Sequence, residues 1–358
     1  MRSGARLTID LAALVTNYRY MAGQCAPSVC AAAVKANAYG MGLSQVVVSL
    51  LGVGCDNFFV ASLGEGIEAR AVAGSSATIY VLEGPSPDAL NEMVEHNLRP
   101  VLNSAEQVAM WKPHADLPVA IHLDTGMHRL GMSPQEFQAV DLGSLNVALL
   151  MSHLACGDER DNPNNHHQLQ IMKLSFAAFP NIPMSIAHSA GILLGQEFHL
   201  DLCRPGIALY GCNPFSVGKN PMQSVVSLSG RVLQLRWAEA DVPVGYGGSY
   251  TTSQKSLLAT LALGYADGIP KTLGGRGVAF YKNQSCPIVG NVSMDLTMVD
   301  VSSVAAEIQT GDWLELLGKN MSVDQMADIS GRFSYELLTH LNAKCERIYC
   351  EAESATLA

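Results

Sequence analysis

Between residue 29 and about residue 210, the chain repeats one arrangement of hydrophobic and polar positions: a short apolar run, a break and an amphipathic helical stretch. Strands that alternate with helices in this way are typical of a parallel sheet. The predicted strands cover residues 29–34, 57–61, 78–82, 98–102, 119–123, 147–152, 184–187 and 202–203. Because eight such units can close on themselves, we predict an α/β fold with a (β/α)8 TIM-like barrel. An open doubly wound sheet is the alternative, but no Gly-x-Gly-x-x-Gly opens the first helix.

The pattern changes after a junction rich in Pro, Gly and Ser at residues 213–221. Apolar runs at residues 225–235, 257–263, 286–289 and 313–317 then follow between glycine-rich turns, which favours a mostly β domain. One late helix is predicted at residues 324–342. We therefore predict a barrel domain over residues 10–222 and a β-rich C-terminal domain over residues 223–358, which also takes in the opening strand within residues 1–9.

Polar residues stand at or just past the carboxyl ends of the predicted strands. They are Lys35, Ser62, Glu83, Asn103, Asp124, His153, His188, Ser189 and Arg204. In a barrel, the loops after the strands build the active site, so we expect these side chains on one rim. Polar residues also end strands for purely structural reasons, but a ring of them favours an enzyme.

The charge and composition of the chain limit the kinds of molecule that it is expected to bind. The chain has 22 basic and 32 acidic residues, a formal net charge of −10, and no run of lysine or arginine. This balance argues against nucleic acid and anionic membranes and favours a small molecule as partner. No apolar segment approaches the length of a membrane span. Asp10 interrupts the apolar run near the start of the chain, which argues against a signal peptide.

Nine cysteines are scattered along the chain, and no Cys-x-x-Cys occurs. The odd number and the spacing indicate neither a disulfide framework nor a zinc site. We therefore expect a reducing compartment, the cytoplasm, and no metal.

The candidate chemistry centres on Lys35, which follows a small apolar strand made of Ala and Val at residues 31–34. An amine in an apolar surround loses part of its solvation, and its pKa falls toward the range in which it acts as a nucleophile. This is the setting that a Schiff-base lysine needs. The alternative is a lysine that extends from a strand end into water.

The segment Val34-Lys35-Ala36-Asn37-Ala38-Tyr39-Gly40 closely resembles the pyridoxal-phosphate lysine segment of bacterial alanine racemases, which are fold-type III enzymes. The resemblance implies that Lys35 carries pyridoxal 5'-phosphate covalently and that Tyr39 contacts the same cofactor.

A second match is Asp124-Thr125-Gly126-Met127-His128-Arg129, which resembles another signature of the family. It implies that Arg129 hydrogen-bonds the phenolic oxygen of the cofactor and helps to hold the substrate carboxylate. The family commonly has a carbamylated lysine at the position of His122. A neutral imidazole cannot supply the missing negative charge, although an anion bound between the two side chains could, so what replaces the carbamate stays open.

Further matches surround the later strands. The resemblance implies that His153 lies against the pyridine ring, that Ser189 holds the phosphate, and that the backbone of Gly206 and Ile207 also reaches the phosphate. His188 stands where the family usually has asparagine and is given no catalytic role. Arg204 would face the pyridine nitrogen. Because arginine does not readily give up a proton, the ring would be a weaker electron sink, which favours racemisation over transamination.

In the second domain, the resemblance assigns the second catalytic base to Tyr246, within Gly245-Tyr246-Gly247-Gly248. On residue type alone, a tyrosine in a glycine-rich hairpin is more often a turn residue that packs on its neighbours. Tyr265 would line the substrate entrance, Met294 and Asp295 would border the site, and Tyr335 would reach the phosphate.

The matches run in the family's order from residue 31 to about residue 349. They imply an alanine racemase that interconverts L-alanine and D-alanine by two bases, Lys35 and Tyr246, on opposite faces of Cα. They also imply D-alanine supply for peptidoglycan and a homodimer with an active site shared between chains. The alternatives are a serine or broad-specificity racemase, a decarboxylase of similar plan and a non-catalytic pyridoxal-phosphate-binding barrel. One hydroxyl separates serine from alanine, and a small pocket discriminates weakly against it.

Overall fold

The computed structural model describes residues 4–350, except residues 144, 216, 342 and 343. The described chain divides into two compact units. The first, called the barrel unit, contains residues 14–209 and 213–222. The second, called the β unit, contains residues 4–13, 210–212 and 223–350. The outer ends of the predicted β-rich domain, residues 1–3 and 351–358, lie outside the described residues.

The chain opens with strand β1 (Ala5–Asp10), which belongs to the β unit, and continues into helix α1 (Leu11–Cys25). The carboxylate of Asp10 accepts a hydrogen bond from the Ala13 amide at 2.8 Å. It thereby satisfies one of the amides that a helix start leaves unpaired, and the helix begins directly after the strand.

Short parallel strands build the barrel unit: β2 (Val29–Cys30), β3 (Ala32–Ala33), β4 (Asn57–Val60), β5 (Thr78–Val81), β6 (Arg99–Leu102), β7 (Val119–His122), β8 (Val147–Met151), β9 (Met184–Ser185) and β10 (Leu202–Cys203). Strands β3 to β9 pair in sequence order, and β10 pairs with β2. Only Ala31 separates β2 from β3, and its amide donates to the Cys203 carbonyl at 2.9 Å. At the other edge, the Asp201 amide just before β10 donates to the Met184 carbonyl of β9 at 3.0 Å, so the sheet closes on itself. This confirms the predicted barrel and excludes an open sheet.

The helices between these strands are α2 (Lys35–Tyr39), α3 (Leu43–Leu51), α4 (Leu63–Ala73), α5 (Leu90–Glu95), α6 (Ala105–Trp111), α7 (Pro134–Ala139), α8 (Asn164–Ser175) and α9 (Ser189–Leu194). Serine side chains at residues 62, 104 and 133 cap α4, α6 and α7. Facing residues of successive strands fill the barrel interior: Ala31, Phe59, Tyr80, Val101, Ala120, Leu149, Met151 and Leu202. Such a filled interior leaves the strand ends as the place for chemistry.

The β unit has the strands β11 (Val226–Ala238), β12 (Pro243–Val244), β13 (Tyr250–Thr251), β14 (Ser256–Leu261), β15 (Val278–Tyr281), β16 (Gln284–Pro287), β17 (Thr297–Asp300), β18 (Trp313–Leu317) and β19 (Glu346–Cys350). Its main sheet runs in the order β16-β15-β18-β11-β1-β19, and β14 joins β11 to β17. The opening strand β1 is antiparallel to β11 and parallel to β19. The mostly β character predicted for this part of the chain is confirmed.

The single late helix predicted at residues 324–342 is wrong. Two helices occupy the region, α10 (Val323–Ser330) and α11 (Ser334–His340), and residue 342 lies outside the described residues. Gly331 ends α10 with φ 65°, the left-handed conformation that glycine adopts without steric cost. The Ser334 hydroxyl then donates to the Asp324 carboxylate at 2.6 Å and holds the second helix against the first.

Candidate active site

Four of the predicted site residues lie at strand ends of the barrel unit. Lys35 follows β3, His153 follows β8, Ser189 begins the helix after β9, and Arg204 follows β10. Because the strands are parallel, their carboxyl ends meet at one rim of the barrel. The structure thus brings these side chains to the same end of the unit.

Lys35 is half-buried at this rim. Burial lowers the pKa of its amine, the nearby Arg129 guanidinium lowers it further, and the Glu65 carboxylate opposes both. A lowered pKa increases the neutral fraction of the amine near working pH, which is the form that attacks a carbonyl or accepts a proton.

A left-handed turn follows Lys35. Ala36, Asn37, Ala38 and Tyr39 have φ angles of 52° to 53°, although none of them is glycine. This conformation costs an L-residue roughly 1–2 kcal/mol, so a run of such residues persists only when neighbouring groups hold it. One holding contact is the Asn37 side chain, whose oxygen accepts from the Leu43 amide at 2.7 Å and caps α3.

A second holding contact comes from Glu65 in α4, which the sequence analysis missed. One carboxylate oxygen accepts from the Ala36 amide at 2.6 Å, and the other accepts from the Ala61 amide at 2.7 Å. The available signal was the spacing Ser62-x-x-Glu65, which is typical of a capping box. In a capping box the carboxylate returns to the amide of the cap residue itself, whereas here it reaches the two neighbouring segments.

Hydrogen-bond donors converge around Ser189. Its hydroxyl oxygen accepts from the amides of Gly206 at 2.8 Å and Ala208 at 3.2 Å. A Cβ at position 206 would collide with the Tyr39 hydroxyl, so a larger residue there would displace the tyrosine side chain. The two amides and the hydroxyls of Ser189 and Tyr39 form a small donor cluster, which suits an anion with several oxygens.

Arg204 is buried, and burial lowers the pKa of its guanidinium to about 10. It donates to the Ser152 carbonyl at 2.6 Å and to the Ser185 hydroxyl, and it lies 5.7 Å from the centre of the Phe59 ring. Within the part of the chain that the structure describes, Arg204 forms no ion pair with a carboxylate. The barrel therefore holds a cation among neutral acceptors.

Two imidazoles lie side by side next to this cation. The ring centres of His153 and His188 are 4.9 Å apart. Burial lowers the pKa of both rings, to about 4 for His188, and the charge of Arg204 adds to the effect. Nδ1 of His188 accepts from the Ala190 amide at 3.1 Å, and a Cβ at Gly157 would come within 2.7 Å of the ring. Both rings are therefore neutral at pH 7, and His188 is fixed in place.

His122 is also a neutral imidazole. Burial, followed by the charge of Arg204, lowers its pKa to about 4. Its Nδ1 lies 2.8 Å from the side-chain oxygen of Asn103, whose amide nitrogen donates to the carbonyls of Leu82 and Val101. These contacts fix the orientation of the Asn103 amide, so Nδ1 of His122 carries the proton and Nε2 keeps its lone pair.

Arg129 is exposed in the loop after β7. The loop is organised by Asp124, whose carboxylate accepts from the amides of Gly126 at 2.8 Å and Met127 at 2.9 Å. These local bonds give Asp124 and Gly126 of the motif a structural role, which is to shape the loop. The guanidinium is left at the surface of the barrel unit.

The other predicted site residues belong to the β unit. Tyr246 stands in the turn between β12 and β13 with 76% of its surface exposed, and Asn291 donates to its carbonyl at 2.9 Å. Tyr265 and Met294 lie on adjoining loops, because the Tyr265 amide donates to the carbonyl just before Met294 at 3.0 Å. Asp295 forms an ion pair with Lys344. Tyr335 is 47% exposed on α11.

Within the described residues, the structure brings together no group of three or more His, Cys, Asp or Glu side chains that could hold a metal ion. None of the helices in the described part of the chain combines the length and the apolar character that a membrane span requires.

Comparison with known proteins identifies the family. Residues 9–214 match the model for the N-terminal domain of alanine racemase, and residues 225–349 match the model for its C-terminal domain. The chain belongs to the alanine racemase family. A relative named alanine racemase in Rhodospirillum rubrum is 42% identical over 97% of this chain and 96% of its own length. A catabolic alanine racemase of Agrobacterium fabrum is also 42% identical, over 98% and 93%.

Solved structures of alanine racemases share the fold. The enzyme of Bartonella henselae, described with covalently bound pyridoxal phosphate, has a TM-score of 0.92 and 36% identity, covering 97% of this chain and 99% of its own. The biosynthetic enzyme of Pseudomonas aeruginosa has a TM-score of 0.89 and 35% identity, covering 98% and 100%. Family members are isomerases, so this chain is placed among the racemases.

Proposed function

We propose that this protein interconverts L-alanine and D-alanine with pyridoxal 5'-phosphate carried covalently by Lys35. The observation that carries the proposal is that an amine of lowered pKa and an anion-binding donor cluster share one barrel rim. The covalently bound cofactor of the Bartonella henselae enzyme supports the same choice.

The residues of the rim fit this cofactor. Its phosphate needs several donors, and the hydroxyls of Ser189 and Tyr39 with the amides of Gly206 and Ala208 supply them. The amide of Ile207, between those two, is a further candidate. Tyr335 of the β unit would add another hydroxyl.

The ring of the cofactor fits the buried groups beside that cluster. Arg204 is a cation held by neutral acceptors, which leaves a donor for an aromatic nitrogen, and His153 is a neutral ring suited to packing on a planar face. When bound, pyridoxal phosphate withdraws electrons from the substrate Cα and so acidifies its proton. With a pKa of about 10, Arg204 keeps its own proton at pH 7 and limits that withdrawal, which disfavours transamination.

Lys35 and Tyr246 would then serve as the two bases. Nζ of Lys35, partly neutral because of its lowered pKa, takes or returns a proton on one face of Cα. The phenolic oxygen of Tyr246 acts on the other face, and opposed bases give inversion. Arg129 would hold the substrate carboxylate, while Tyr265, Met294 and Asp295 would line the approach.

We further propose a homodimer in which Tyr246 of one chain serves the Lys35 of the other, so that each active site is shared. The product D-alanine would supply cell-wall peptidoglycan. The scattered cysteines favour a reducing, cytoplasmic setting.

Two measurements test the proposal on the purified full chain. Incubation with each L-amino acid should give the D-enantiomer of alanine, and comparison with L-serine distinguishes a broad-specificity racemase. Borohydride reduction and peptide mapping should place a pyridoxyl group on Lys35. Lys35→Ala should lose the label and the activity, whereas Lys112→Ala, at a surface ion pair, should keep both. A label on another lysine would refute the assignment of Lys35.

A further inference from the structure

We propose that Glu65 is a positioning residue for Lys35: its carboxylate bridges the residue after Lys35 and the end of the neighbouring strand β4, and so holds the left-handed turn that places the amine. The proposal rests on the role of Lys35 given above, and it concerns how this chain keeps that lysine in place.

Several backbone hydrogen bonds lie within the turn after Lys35. Within it, the Gly40 amide donates to the Ala36 carbonyl at 2.8 Å, and the Gly42 amide donates to the Asn37 carbonyl at 3.0 Å. The Ala36 amide, directly after Lys35, instead donates to Glu65 at 2.6 Å. Glu65 therefore supplies the contact at the point where the strand changes into the left-handed turn.

The second oxygen of Glu65 anchors that contact to the barrel. It accepts from the Ala61 amide at 2.7 Å, just after β4. Strand β4 pairs with β3, and the Val34 amide donates to the Phe59 carbonyl at 2.9 Å. The carboxylate thus joins the residue after Lys35 to the strand beside it. A carboxylate suits this position because both of its oxygens accept hydrogen bonds and its charge strengthens them.

Glu65 also acts on Lys35 through its charge. The charged groups that affect the amine are Arg129, which favours the neutral form, and Glu65, which favours the charged form. The charge of Lys35 in turn helps to lower the pKa of the His153 ring. Loss of the Glu65 charge should therefore lower the pKa of Lys35, whereas loss of the bridge alone should loosen the turn without that shift.

Three variants separate the two effects. Glu65→Gln keeps the length of the side chain but loses the charge and replaces one acceptor by a donor. Glu65→Asp keeps the charge but is too short to reach both amides in the present geometry. Glu68→Gln is the matched control, because Glu68 lies one turn further along α4, is exposed, and accepts a hydrogen bond from the Ser44 hydroxyl at 3.3 Å.

Hydrogen exchange measured by mass spectrometry on the full chain reports the bridge directly. In peptides that cover residues 34–42 and 58–64, both Glu65 variants should exchange about tenfold faster or more, since a charge-assisted bond is lost. Glu68→Gln should match the parent. Competitive acylation of Lys35 across pH should give a lower pKa in Glu65→Gln and an unchanged one in Glu65→Asp.

Covalent capture of pyridoxal phosphate by cofactor-free full chain tests positioning. Both Glu65 variants should capture it at Lys35 at least several-fold more slowly than Glu68→Gln. Unchanged hydrogen exchange in the Glu65 variants would overturn the bridge, and faster exchange with unchanged capture would overturn its positioning role. If the parent chain itself places no label on Lys35, the proposed function fails, while the exchange result still decides whether Glu65 holds the turn.

Discussion

At the scale of single residues, burial sets the protonation of the barrel rim. It is the largest cause of the lowered pKa at Lys35, His122, His188 and Arg204. The imidazoles become neutral at pH 7, while Arg204 stays charged because its pKa starts far above neutrality. The rim therefore keeps its cationic character, which suits a site for a phosphate and a carboxylate.

The neutral imidazoles predict a pH dependence of stability. His122 and His188 have folded pKa values of about 4, below the value of about 6.5 expected in an unfolded chain. Between these values the unfolded chain binds more protons, so stability falls as the pH drops from 6.5 toward 4 and changes little from this source below 4. Each ring should cost about 2 kcal/mol between pH 7 and pH 5.

Urea unfolding at pH 7 and pH 5 measures this effect. In His122→Asn and His188→Asn, the loss of unfolding free energy between the two pH values should be smaller by about 2 kcal/mol each. His167→Asn, at an exposed side chain, should lose as much as the parent. An identical loss in all four proteins would contradict the assignment of neutral, buried rings.

His122 also predicts independence from dissolved carbon dioxide. Its side chain cannot form the carbamate that a lysine at this position carries in the family, and its Nδ1 is already bonded to Asn103. Racemase activity should therefore stay the same after carbon dioxide is removed. His122→Lys is the informative counterpart, because a lysine there could gain such a dependence. Activity of the parent that falls without bicarbonate and recovers with it would show a different organisation around Arg129.

The sequence allowed the candidate residues of the rim to be predicted, and the structure places those of the barrel unit at the strand ends. Their individual roles stay predictions. Glu65 could not be predicted from its spacing, because Ser62-x-x-Glu65 is typical of a local cap. Its contact with Ala36 joins residues that are 29 positions apart in the chain and so depends on how the two segments pack.

At the scale of elements, the left-handed turn α2 predicts an unusual response to glycine. Ala36 is exposed with φ 53°, so Ala36→Gly removes steric strain of roughly 1 kcal/mol but adds flexibility to the unfolded chain. We expect stability to rise by up to about 0.5 kcal/mol or to stay unchanged. At Ala109, exposed in the right-handed helix α6, the same substitution should cost about 1 kcal/mol.

Chemical denaturation of the two variants provides the comparison. A loss of about 1 kcal/mol in both would mean that the turn is not strained at position 36. The comparison uses the same substitution at two exposed alanines, so side-chain burial does not enter.

An element could be predicted from the sequence where the pattern of neighbouring residues determines it. The barrel strands were predicted to within two residues at most ends, because each is an apolar run bounded by polar breaks. The late helix was predicted as one, because apolar periodicity continues across Gly331, and only its left-handed φ shows the break. The conformation of the left-handed turn could not be predicted, since alanine and tyrosine disfavour it and tertiary contacts impose it.

At the scale of the whole molecule, the β unit exposes large apolar side chains. Tyr246, Met294 and Phe333 are 76%, 55% and 78% exposed, and Tyr335 is 47% exposed. Side chains of this kind are typical of a surface that another molecule covers when they form one contiguous patch. They support the proposed homodimer, in which this unit of one chain completes the active site of the other.

Complementation between variants tests the shared site. Lys35→Ala and Tyr246→Phe should each be nearly inactive alone. In a mixed dimer, one site would inherit both defects, and the other would pair an intact Lys35 with an intact Tyr246. Random exchange makes about half of the dimers mixed, each with one good site of two, so activity should rise to roughly a quarter of the parent level.

The double variant Lys35→Ala with Tyr246→Phe, mixed with the parent, is the control for this experiment. An equal mixture with the parent has half of the parent activity before exchange. If sites are shared, every mixed dimer lacks a complete site, and activity should fall to roughly a quarter as chains reassort. If each chain serves its own barrel, activity stays at half, and the two single variants restore nothing. With exchange verified by mass spectrometry, that second pattern would refute the shared site, and Tyr246 would have to serve its own barrel or not act as the base at all.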